Sequence, residues 1–527
     1  MRKELVLPWC VSIVLGCSLG CSGSSSSSGR TASQDEPPVV QTESGRVRGM
    51  AEDGVETFLG IPYAAAPEGP LRWRKAQPRA KWSDVHDATQ KAPRCPQVTV
   101  PGALDGEEDC LTVNIWKPAH GKAAIPVMVF LHGGRHMTGS AYGSGVNVAG
   151  NIRNISFEGN RLAKEGEVVV VSLEFRFGAF GYLAHPALLA EGGAANLGLS
   201  DQVFGLDWVR RNVGYFGGDP QRITVFGQSS GATDICALMT APAAKDRFTR
   251  AILDSIPYGC EISTLASMKE AALETAKRVG CIQTDPAKVA NCLRALPKED
   301  LLNATKAAAG RPALIYGPWV DGEFLAQDPA VALRDGKFRP MPVILGGGRH
   351  EEAFFRPVVP DEETYVAKVR AQFPEIAERV LELYPAEPTP LAAFIALQTH
   401  ERFLCPTRRV ARALTAHQTQ PVHRYLLTRA LSLKPDDSAG AYHILSQLFL
   451  FGLFEKYIYD EPTEAERELS RQVQRDWTLF AKGESLDEWK PYASGSDPVL
   501  HLDTPSALRT DGDPPQCDFW DAVESTH

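Results

Sequence analysis

Four short stretches of the chain are apolar at nearly every position, without the alternation that marks a half-exposed strand. They cover residues 127–131, 168–173, 223–226 and 343–345. Consecutive apolar residues are typical of strands that are buried on both faces of a parallel sheet. These stretches therefore predict the central strands of a mostly parallel sheet.

Helical patterns lie between these predicted strands, notably over residues 201–213, 268–279 and 464–480. Strands that alternate with helices favour an α/β fold, in which a twisted sheet is covered by helices on both faces. Functional residues of such folds gather in loops at the carboxyl ends of the strands. The helix-rich region 260–335 predicts an insertion over that edge of the sheet.

Three of the predicted strands end in glycine-rich loops. "HGGRH" follows Leu131, "GQSSG" follows Phe226 and "GGGRHEE" follows Leu345. The second loop matches the pattern G-x-S-x-G, in which glycines allow a sharp turn that exposes the serine hydroxyl above a helix N-terminus. Ser229 is therefore a candidate nucleophile, and the alternative is a small residue in a tight turn.

Composition narrows the range of functions. The 527 residues carry a formal net charge of −9, and 43% of them are hydrophobic, which is enough for a large core. The chain has no basic stripe, so nucleic acid is not an expected partner. The length permits one large domain or three smaller ones. Because no linker follows Ser33, we expect a single catalytic domain over residues 39–527.

The N-terminus has the features of a targeting segment. Arg2 and Lys3 precede an apolar stretch, residues 5–15, that is too short to span a bilayer as a mature helix. The stretch ends in "VLGCSLGC", which resembles a bacterial lipoprotein signal with the lipid on Cys17 or Cys21. An aliphatic residue three positions upstream favours Cys17. An ordinary cleaved signal is the alternative.

We therefore expect residues 1–20 to be a signal peptide and residues 21–38 to be a flexible tether rich in Ser, Gly and Pro. The protein would be exported and held to the bacterial envelope by its lipid, or else be periplasmic or secreted. Export implies an oxidising compartment. Eight cysteines follow the tether, and none has the spacing of a metal site, so we expect disulfides and no metal.

Longer motifs run in order from about Gly45 to Trp520. They include "FLGIPYAAAPEGPLRW" (58–73), "EDCLTVNIW" (108–116), "FRFGAFGYL" (175–183), the stretch 196–231 that ends in "FGQSSG", "CLRALP" (292–297), "VDGEFL" (320–325) and "CDFW" (517–520). In these motifs the chain resembles the type-B carboxylesterase family, which includes cholinesterases and bacterial and fungal carboxylesterases and lipases. The resemblance implies an α/β-hydrolase fold and hydrolysis of small-molecule carboxylic esters without a cofactor.

Carried over position by position, the resemblance implies a nucleophile, an acid and a base, which are Ser229, Glu351 and His443. The order Ser, Glu, His along the chain is the one that this fold uses. Glu352 is the alternative acid if the loop register slips by one residue. His350 and His423 are other nearby histidines, for which a surface loop and a position in the sheet are the simpler interpretations.

The resemblance also implies three oxyanion-hole donors, the backbone N–H groups of Gly134, Arg135 and Ser230. It further implies three disulfides, Cys95–Cys110, Cys281–Cys292 and Cys405–Cys517. Cys236 and Cys260 are left over. Cys236 is most simply a buried apolar thiol.

The chain departs from the family pattern around this site. Glutamates usually stand in the positions of Gln228 and Ser446, and with a serine that matches Ser255 they form an acidic network beside the histidine. Neutral residues at both positions predict less support for the imidazolium, hence a weaker base, and no carboxylate to attract a cationic alcohol. We therefore expect neutral or acidic esters to be preferred over choline esters.

Two further departures concern the oxyanion loop. Arg135 stands where the family has glycine or alanine, and Glu174 replaces an asparagine. Arg135 either pairs with Glu174 in a salt bridge, which is the simpler interpretation, or binds a carboxylate of the substrate. Because the family includes cholinesterase-like adhesion proteins, a catalytically weak or inactive binding lipoprotein is the alternative function.

Overall fold

The structure is a computed structural model, and it describes residues 36–99, 102–148, 151–193, 195–431, 440–453, 462–493 and 495–524. The expected signal peptide, Cys17, Cys21 and most of the expected tether lie outside the described residues. The chain from Pro37 onwards forms one compact unit. Within the described ranges, no helix combines the length and the hydropathy needed to cross a membrane.

The described strands are numbered β1 to β18 in chain order. They are β1 Val39–Gln41, β2 Arg46–Arg48, β3 Met50–Glu52, β4 Val55–Pro62, β5 His86–Asp87, β6 Gln97–Val98, β7 Leu104–Asp105, β8 Thr112–Pro118, β9 Ile125–Leu131, β10 Ser144–Val148, β11 Asn151–Ile155, β12 Val169–Leu173, β13 Gly218–Gln228, β14 Arg250–Asp254, β15 Val343–Gly348, β16 Val422–Leu427, β17 Val499–Leu502 and β18 Ala507–Arg509.

The described α-helices are numbered in the same way. They are α1 Asn160–Gly166, α2 Gly178–Tyr182, α3 Pro186–Ala190, α4 Leu197–Asn212, α5 Ser230–Thr240, α6 Leu265–Arg278, α7 Pro286–Ala295, α8 Lys298–Thr305, α9 Pro329–Arg334, α10 Glu362–Gln372, α11 Ala377–Leu383, α12 Pro390–Thr399, α13 Cys405–His417, α14 Leu445–Leu450, α15 Glu464–Lys482 and α16 Cys517–Glu524. A 3₁₀ turn, Glu351–Phe355, lies just beyond β15.

Eleven strands form the main sheet, in the order β18-β17-β16-β15-β14-β13-β9-β12-β8-β4-β3. The seven neighbouring strands from β17 to β12 are parallel to one another. Antiparallel strands complete both edges. The parallel strands therefore place their carboxyl ends along the same side of the sheet. The candidate residues follow the carboxyl ends of β9, β13, β14, β15 and β16.

All four predicted strands are present, as β9, β12, β13 and β15. Every residue of β12 is buried, as the consecutive apolar pattern requires. Strand β13 has 11 residues rather than the predicted four, because its first half carries polar residues that the apolar pattern cannot reveal. The predicted helices are also present, as α4, α6 and α15, with ends that differ by up to four residues.

Helices α6 to α9 occupy the region 260–335, which the sequence predicts to be helical. This region contacts the loop that follows β9. The N–H of Tyr316 donates to the sulfur of Met137 at 3.3 Å, and the carbonyl oxygen of Trp319 accepts from the Asn196 amide at 2.8 Å. The insertion therefore packs against the loop after β9, at the carboxyl ends of the parallel strands.

Four disulfides join segments within the described residues. Three are the expected pairs, Cys95–Cys110, Cys281–Cys292 and Cys405–Cys517. The fourth, Cys236–Cys260, corrects the interpretation of Cys236 as a free thiol. Helix α5 packs on the 3₁₀ turn Pro257–Cys260 that follows β14, which brings the two Cα atoms to 5.8 Å across 24 residues of chain.

Candidate active site

Ser229 lies on the turn between β13 and α5. Its backbone angles, φ 57° and ψ −126°, are strained for a residue with a side chain, and a strained serine between strand and helix is the geometry of a nucleophile elbow. The flanking glycines make the turn possible. A Cβ on Gly231 would lie 2.2 Å from the carbonyl oxygen of Leu131, and one on Gly227 would lie 2.8 Å from Gly231.

His443 and Glu351 form a hydrogen bond, with 2.5 Å between Nδ1 and Oε2. Oε1 of Glu351 accepts from the Ser255 hydroxyl at 2.7 Å and from the N–H of Gly348 at 2.5 Å. The carboxylate is fully buried, so these donors hold it in one orientation against the ring. Because an ionised carboxylate only accepts, Nδ1 carries the proton and Nε2 is left as an acceptor.

The alternative acid and bases are engaged elsewhere. Oε2 of Glu352 pairs with Nη1 of Arg402 at 2.6 Å, and burial raises the pKa of this carboxyl. The ring of His350 accepts a backbone N–H at 3.2 Å, and His423 lies inside β16. The structure therefore brings Glu351, rather than its neighbour, to the histidine.

The glycine-rich loop after β9 lies against the nucleophile turn, since a Cβ on Gly133 would be 3.0 Å from that of Ser229. The N–H groups of Gly134, Arg135 and Ser230 donate to no acceptor among the described residues. Ser230 is the first residue of α5, where a helix leaves its N–H groups free and its dipole favours negative charge. These three donors can therefore bind an oxyanion.

Helix α5 fixes this loop. Arg135 and His136 both have positive φ, 58° and 55°, which costs about 1–2 kcal/mol for each residue. Nε2 of His136 lies 2.8 Å from Oδ1 of Asp234, and the His136 N–H donates to the Ser230 hydroxyl at 3.3 Å. Ser230 and Asp234 are four residues apart and so share one face of α5. No local sequence pattern indicates this anchor, because His136 and Asp234 lie 98 positions apart.

Ser229 and His443 line a cavity of about 600 Å³. The rings of Phe354, Phe355 and Phe403 lie 5.2 to 5.8 Å from the imidazole. These rings form an apolar side of a cavity that is otherwise lined mostly by polar and charged side chains, and such a mixed lining suits a small organic ester. Among the described side chains, no group of three or more His, Cys, Asp or Glu residues is arranged to hold a metal ion.

Comparison with known proteins agrees with this geometry. The sequence profile of the carboxylesterase family matches residues 36–520. The chain belongs to the carboxylesterase family. A solved structure titled "PNB esterase" superposes with a TM-score of 0.77 at 31% identity, and the match covers 93% of this chain and 100% of that one. The α/β-hydrolase fold implied by the sequence is therefore confirmed.

Curated relatives include three esterases. Para-nitrobenzyl esterase of Bacillus subtilis (strain 168) is 33% identical over 90% of this chain and 96% of its own length. Cholinesterase of Mus musculus is 31% identical over 92% of this chain and 87% of its own. Fumonisin B1 esterase of Sphingopyxis macrogoltabida is 36% identical over 67% of this chain and 64% of its own.

Gln228 of this carboxylesterase-family protein contacts the nitrogen that a general base needs. Its Nε2 lies 2.9 Å from Nε2 of His443. Because the ring donates through Nδ1 to Glu351, Nε2 of the ring accepts and the Gln228 amide donates. An ionised glutamate at this position would have no proton to donate. The substitution therefore changes the hydrogen bonding of the base as well as the charge near it.

A buried carboxyl that sequence reasoning missed lies beside Glu351. Asp254, the last residue of β14, accepts from the Ser446 hydroxyl at 2.5 Å, and also from a tyrosine hydroxyl and a glutamine amide. Burial raises its pKa. The Ser255 hydroxyl lies 3.2 Å from Asp254 and 2.7 Å from Glu351. The Ser255 hydroxyl therefore links this second buried carboxyl to Glu351, and Ser446, which stands where the family has a glutamate, donates to Asp254.

The expected salt bridge between Arg135 and Glu174 is absent from the described residues, and that interpretation is wrong. Glu174 is fully buried, with Oε1 accepting the N–H of Ala141 at 2.9 Å and Oε2 lying 3.9 Å from Nε2 of His132. Burial raises the pKa of Glu174 to about 8 and lowers that of His132 to about 4. Both groups are therefore neutral at pH 7, whereas Arg135 is exposed.

Proposed function

We propose that this protein hydrolyses small carboxylic esters through an acyl-serine intermediate. The observation that carries the proposal is the strained Ser229 turn in the same cavity as His443, whose Nδ1 lies 2.5 Å from Glu351. Membership of the carboxylesterase family supports the reaction class. So do the three curated relatives, each of which is named as an esterase.

In the proposed mechanism, Ser229 attacks the ester carbonyl while Nε2 of His443 takes the hydroxyl proton. Glu351 holds the ring in the tautomer with Nδ1 protonated and stabilises its cation. The free N–H groups of the oxyanion loop and of α5 stabilise the tetrahedral oxyanion, and losing one such donor typically costs about 3–4 kcal/mol. His443 then protonates the leaving alkoxide, and water hydrolyses the acyl-serine by the same route.

A fluorophosphonate tests this function. Intact-mass and peptide spectra should show one adduct, on Ser229, with parallel loss of 4-nitrophenyl butyrate hydrolysis. Ser229→Ala should neither react nor hydrolyse the ester, whereas Ser83→Ala, which alters an exposed bend, should do both. A protein that forms no adduct would support the alternative of a cholinesterase-like binding protein.

We further propose that neutral or acidic esters are preferred over choline esters. Gln228 is uncharged, and the described side chains of the cavity wall include Arg94 and Arg135 against a single exposed carboxylate, Asp105. A cationic alcohol gains little in such a site. We expect a higher kcat/KM for 3,3-dimethylbutyl butyrate than for butyrylcholine, which has the same shape and a positive charge. Faster hydrolysis of the choline ester would contradict the proposal.

A further inference from the structure

We propose that the guanidinium of Arg135 binds a carboxylate of the substrate, so that the preferred esters carry an anionic group a few bonds from the scissile carbonyl. The inference rests on the ester hydrolysis proposed above and adds the substrate class. Half-esters of dicarboxylic acids carry such a group on the acyl side. Esters of hydroxy acids carry it on the alcohol side.

The charge of Arg135 is not neutralised by a partner among the described residues. Within the part of the chain that the structure describes, its guanidinium forms no ion pair and no hydrogen bond, and the residue is exposed. Glu174, the partner expected from the sequence, is buried against other groups. Glu352 is close enough to Arg135 for the two charges to attract, but its carboxylate already forms an ion pair with Arg402 at 2.6 Å. A substrate carboxylate would therefore meet an available cation.

The position of Arg135 limits where that carboxylate can lie. The backbone is held by the contact between His136 and Asp234, and the Arg135 N–H is one of the free oxyanion donors. Because the N–H and the side chain belong to one residue, the guanidinium reaches groups close to the carbonyl carbon. Its planar fork matches the two oxygens of a carboxylate. Glycine would be unstrained at this φ of 58°, yet the chain places an arginine there.

A second cation lines the same cavity. Arg94 is paired with Asp105 at 3.4 Å, and the two side chains are 28% and 47% exposed. Exposed pairs of this kind are weak because water competes for both partners. Arg94 therefore adds to the positive potential of the wall and can turn towards a second carboxylate on the substrate.

Two pairs of matched esters test the proposal. The acyl pair is 4-nitrophenyl hemisuccinate and 4-nitrophenyl butyrate, and the alcohol pair is carboxymethyl butyrate and carbamoylmethyl butyrate. In Arg135→Gln we expect the anionic-to-neutral ratio of kcat/KM to fall about tenfold for at least one pair, mainly through KM, as loss of a charged hydrogen bond implies. Raising the salt from about 0.05 M to about 0.5 M should lower the same ratio in the wild type.

Arg356→Gln is the matched control. Arg356 is also exposed and also has a positive φ, 50°, but it does not line the cavity. It should leave both ratios unchanged. An unchanged ratio in Arg135→Gln for both ester pairs, or an equal fall in Arg356→Gln, would overturn the proposal.

Binding without turnover separates this inference from the proposed function. Calorimetry with monobutyl succinate and the Ser229→Ala protein should give a Kd that weakens about tenfold when Arg135→Gln is added. If fluorophosphonate labelling fails but this difference in Kd is observed, the proposed hydrolase function is wrong and the proposed anion site is retained. If labelling and hydrolysis are normal but the Kd is the same with and without Arg135→Gln, only the proposed anion site is wrong.

Discussion

In the proposed mechanism, the residue before Ser229 affects how freely His443 can act as the base. In the free protein, Gln228 donates to the same nitrogen of His443 that must take the proton from Ser229. Gln228→Met keeps the length of the side chain and removes the donor. We expect kcat/KM for a neutral ester to rise about two- to tenfold, the range of one neutral hydrogen bond. Initial rates at fixed pH, with active sites counted by fluorophosphonate labelling, measure this.

Gln228→Glu provides the comparison for the same position. An ionised carboxylate beside the ring donates no hydrogen bond and favours the imidazolium that forms as the serine attacks. Its kcat/KM should therefore rise at least as much as that of the methionine variant. A fall in both variants would show that the amide assists the base instead of competing with the nucleophile.

Glu174 links stability to pH. Burial raises its pKa from 4.5 to about 8. The folded state therefore keeps a proton that the unfolded chain loses, so stability falls as pH rises from about 4.5 to about 8 and then levels off. Glu174→Gln has no proton to lose. We therefore expect the difference in free energy of unfolding between Glu174→Gln and the wild type to change in favour of the variant as the pH rises from about 4.5 to about 8. The change should be on the order of a few kcal/mol.

Urea unfolding of both proteins at several pH values between about 5 and about 9 measures this difference. Glu167→Gln is a control, because it changes an exposed glutamate and should follow the wild type at every pH. Parallel curves for Glu174→Gln and the wild type would mean that the buried carboxyl is ionised throughout.

Single residues also mark where sequence reasoning succeeds and fails. The spacing around Ser229 and the resemblance that pointed to Glu351 and His443 are patterns along the chain, so these candidates could be predicted. Asp254 and the contact between His136 and Asp234 depend on packing between distant segments, which no local pattern records. The salt bridge predicted between Arg135 and Glu174 is an error of the opposite kind. The sequence does not reveal that Glu174 is buried while Arg135 is exposed.

Loop and helix act together at the scale of elements. The loop after β9 carries two of the proposed oxyanion donors, and α5 carries the third together with the anchor Asp234. Asp234→Asn keeps the shape of the anchor and weakens its contact with His136. We expect kcat to fall about tenfold or more with little change in KM, because displaced donors are lost mainly in the transition state.

Asp219→Asn serves as the comparison for this anchor, since Asp219 lies at the opposite end of β13 and contacts Arg222. It should keep the wild-type kcat. Thermal melts show whether either variant is less folded. An Asp234→Asn protein with a raised KM and a normal kcat would argue that the anchor shapes the binding cavity instead.

Elements differ in how well the sequence reveals them. The central strands β9 and β12 are almost entirely apolar and could be recognised, because a strand that is buried on both faces carries few polar residues, such as Ser172 in β12. The edge strands β3 and β18 have three residues each and no fully buried residue, so their sequences resemble loops. Their pairing depends on neighbours that the fold supplies.

At the scale of the whole molecule, the disulfides close loops of very different length. Cys405–Cys517 closes 112 residues and ties the C-terminal helix α16 to α13, whereas Cys281–Cys292 closes only 11. In the chain-entropy model these cross-links contribute about 5 and about 3 kcal/mol. Because the difference arises in the unfolded chain, it does not depend on how well each pair packs.

The two double variants, Cys405→Ala with Cys517→Ala and Cys281→Ala with Cys292→Ala, replace the same atoms and so form a matched comparison. We expect the first to lose about 2 kcal/mol more of the free energy of unfolding than the second, measured in urea without reductant. Arg408 binds both Asp518 and Asp521 and keeps α16 docked in the native state of the first variant. Equal losses would mean that strain or packing in the folded protein, and not loop closure in the unfolded chain, sets the contribution of these bonds.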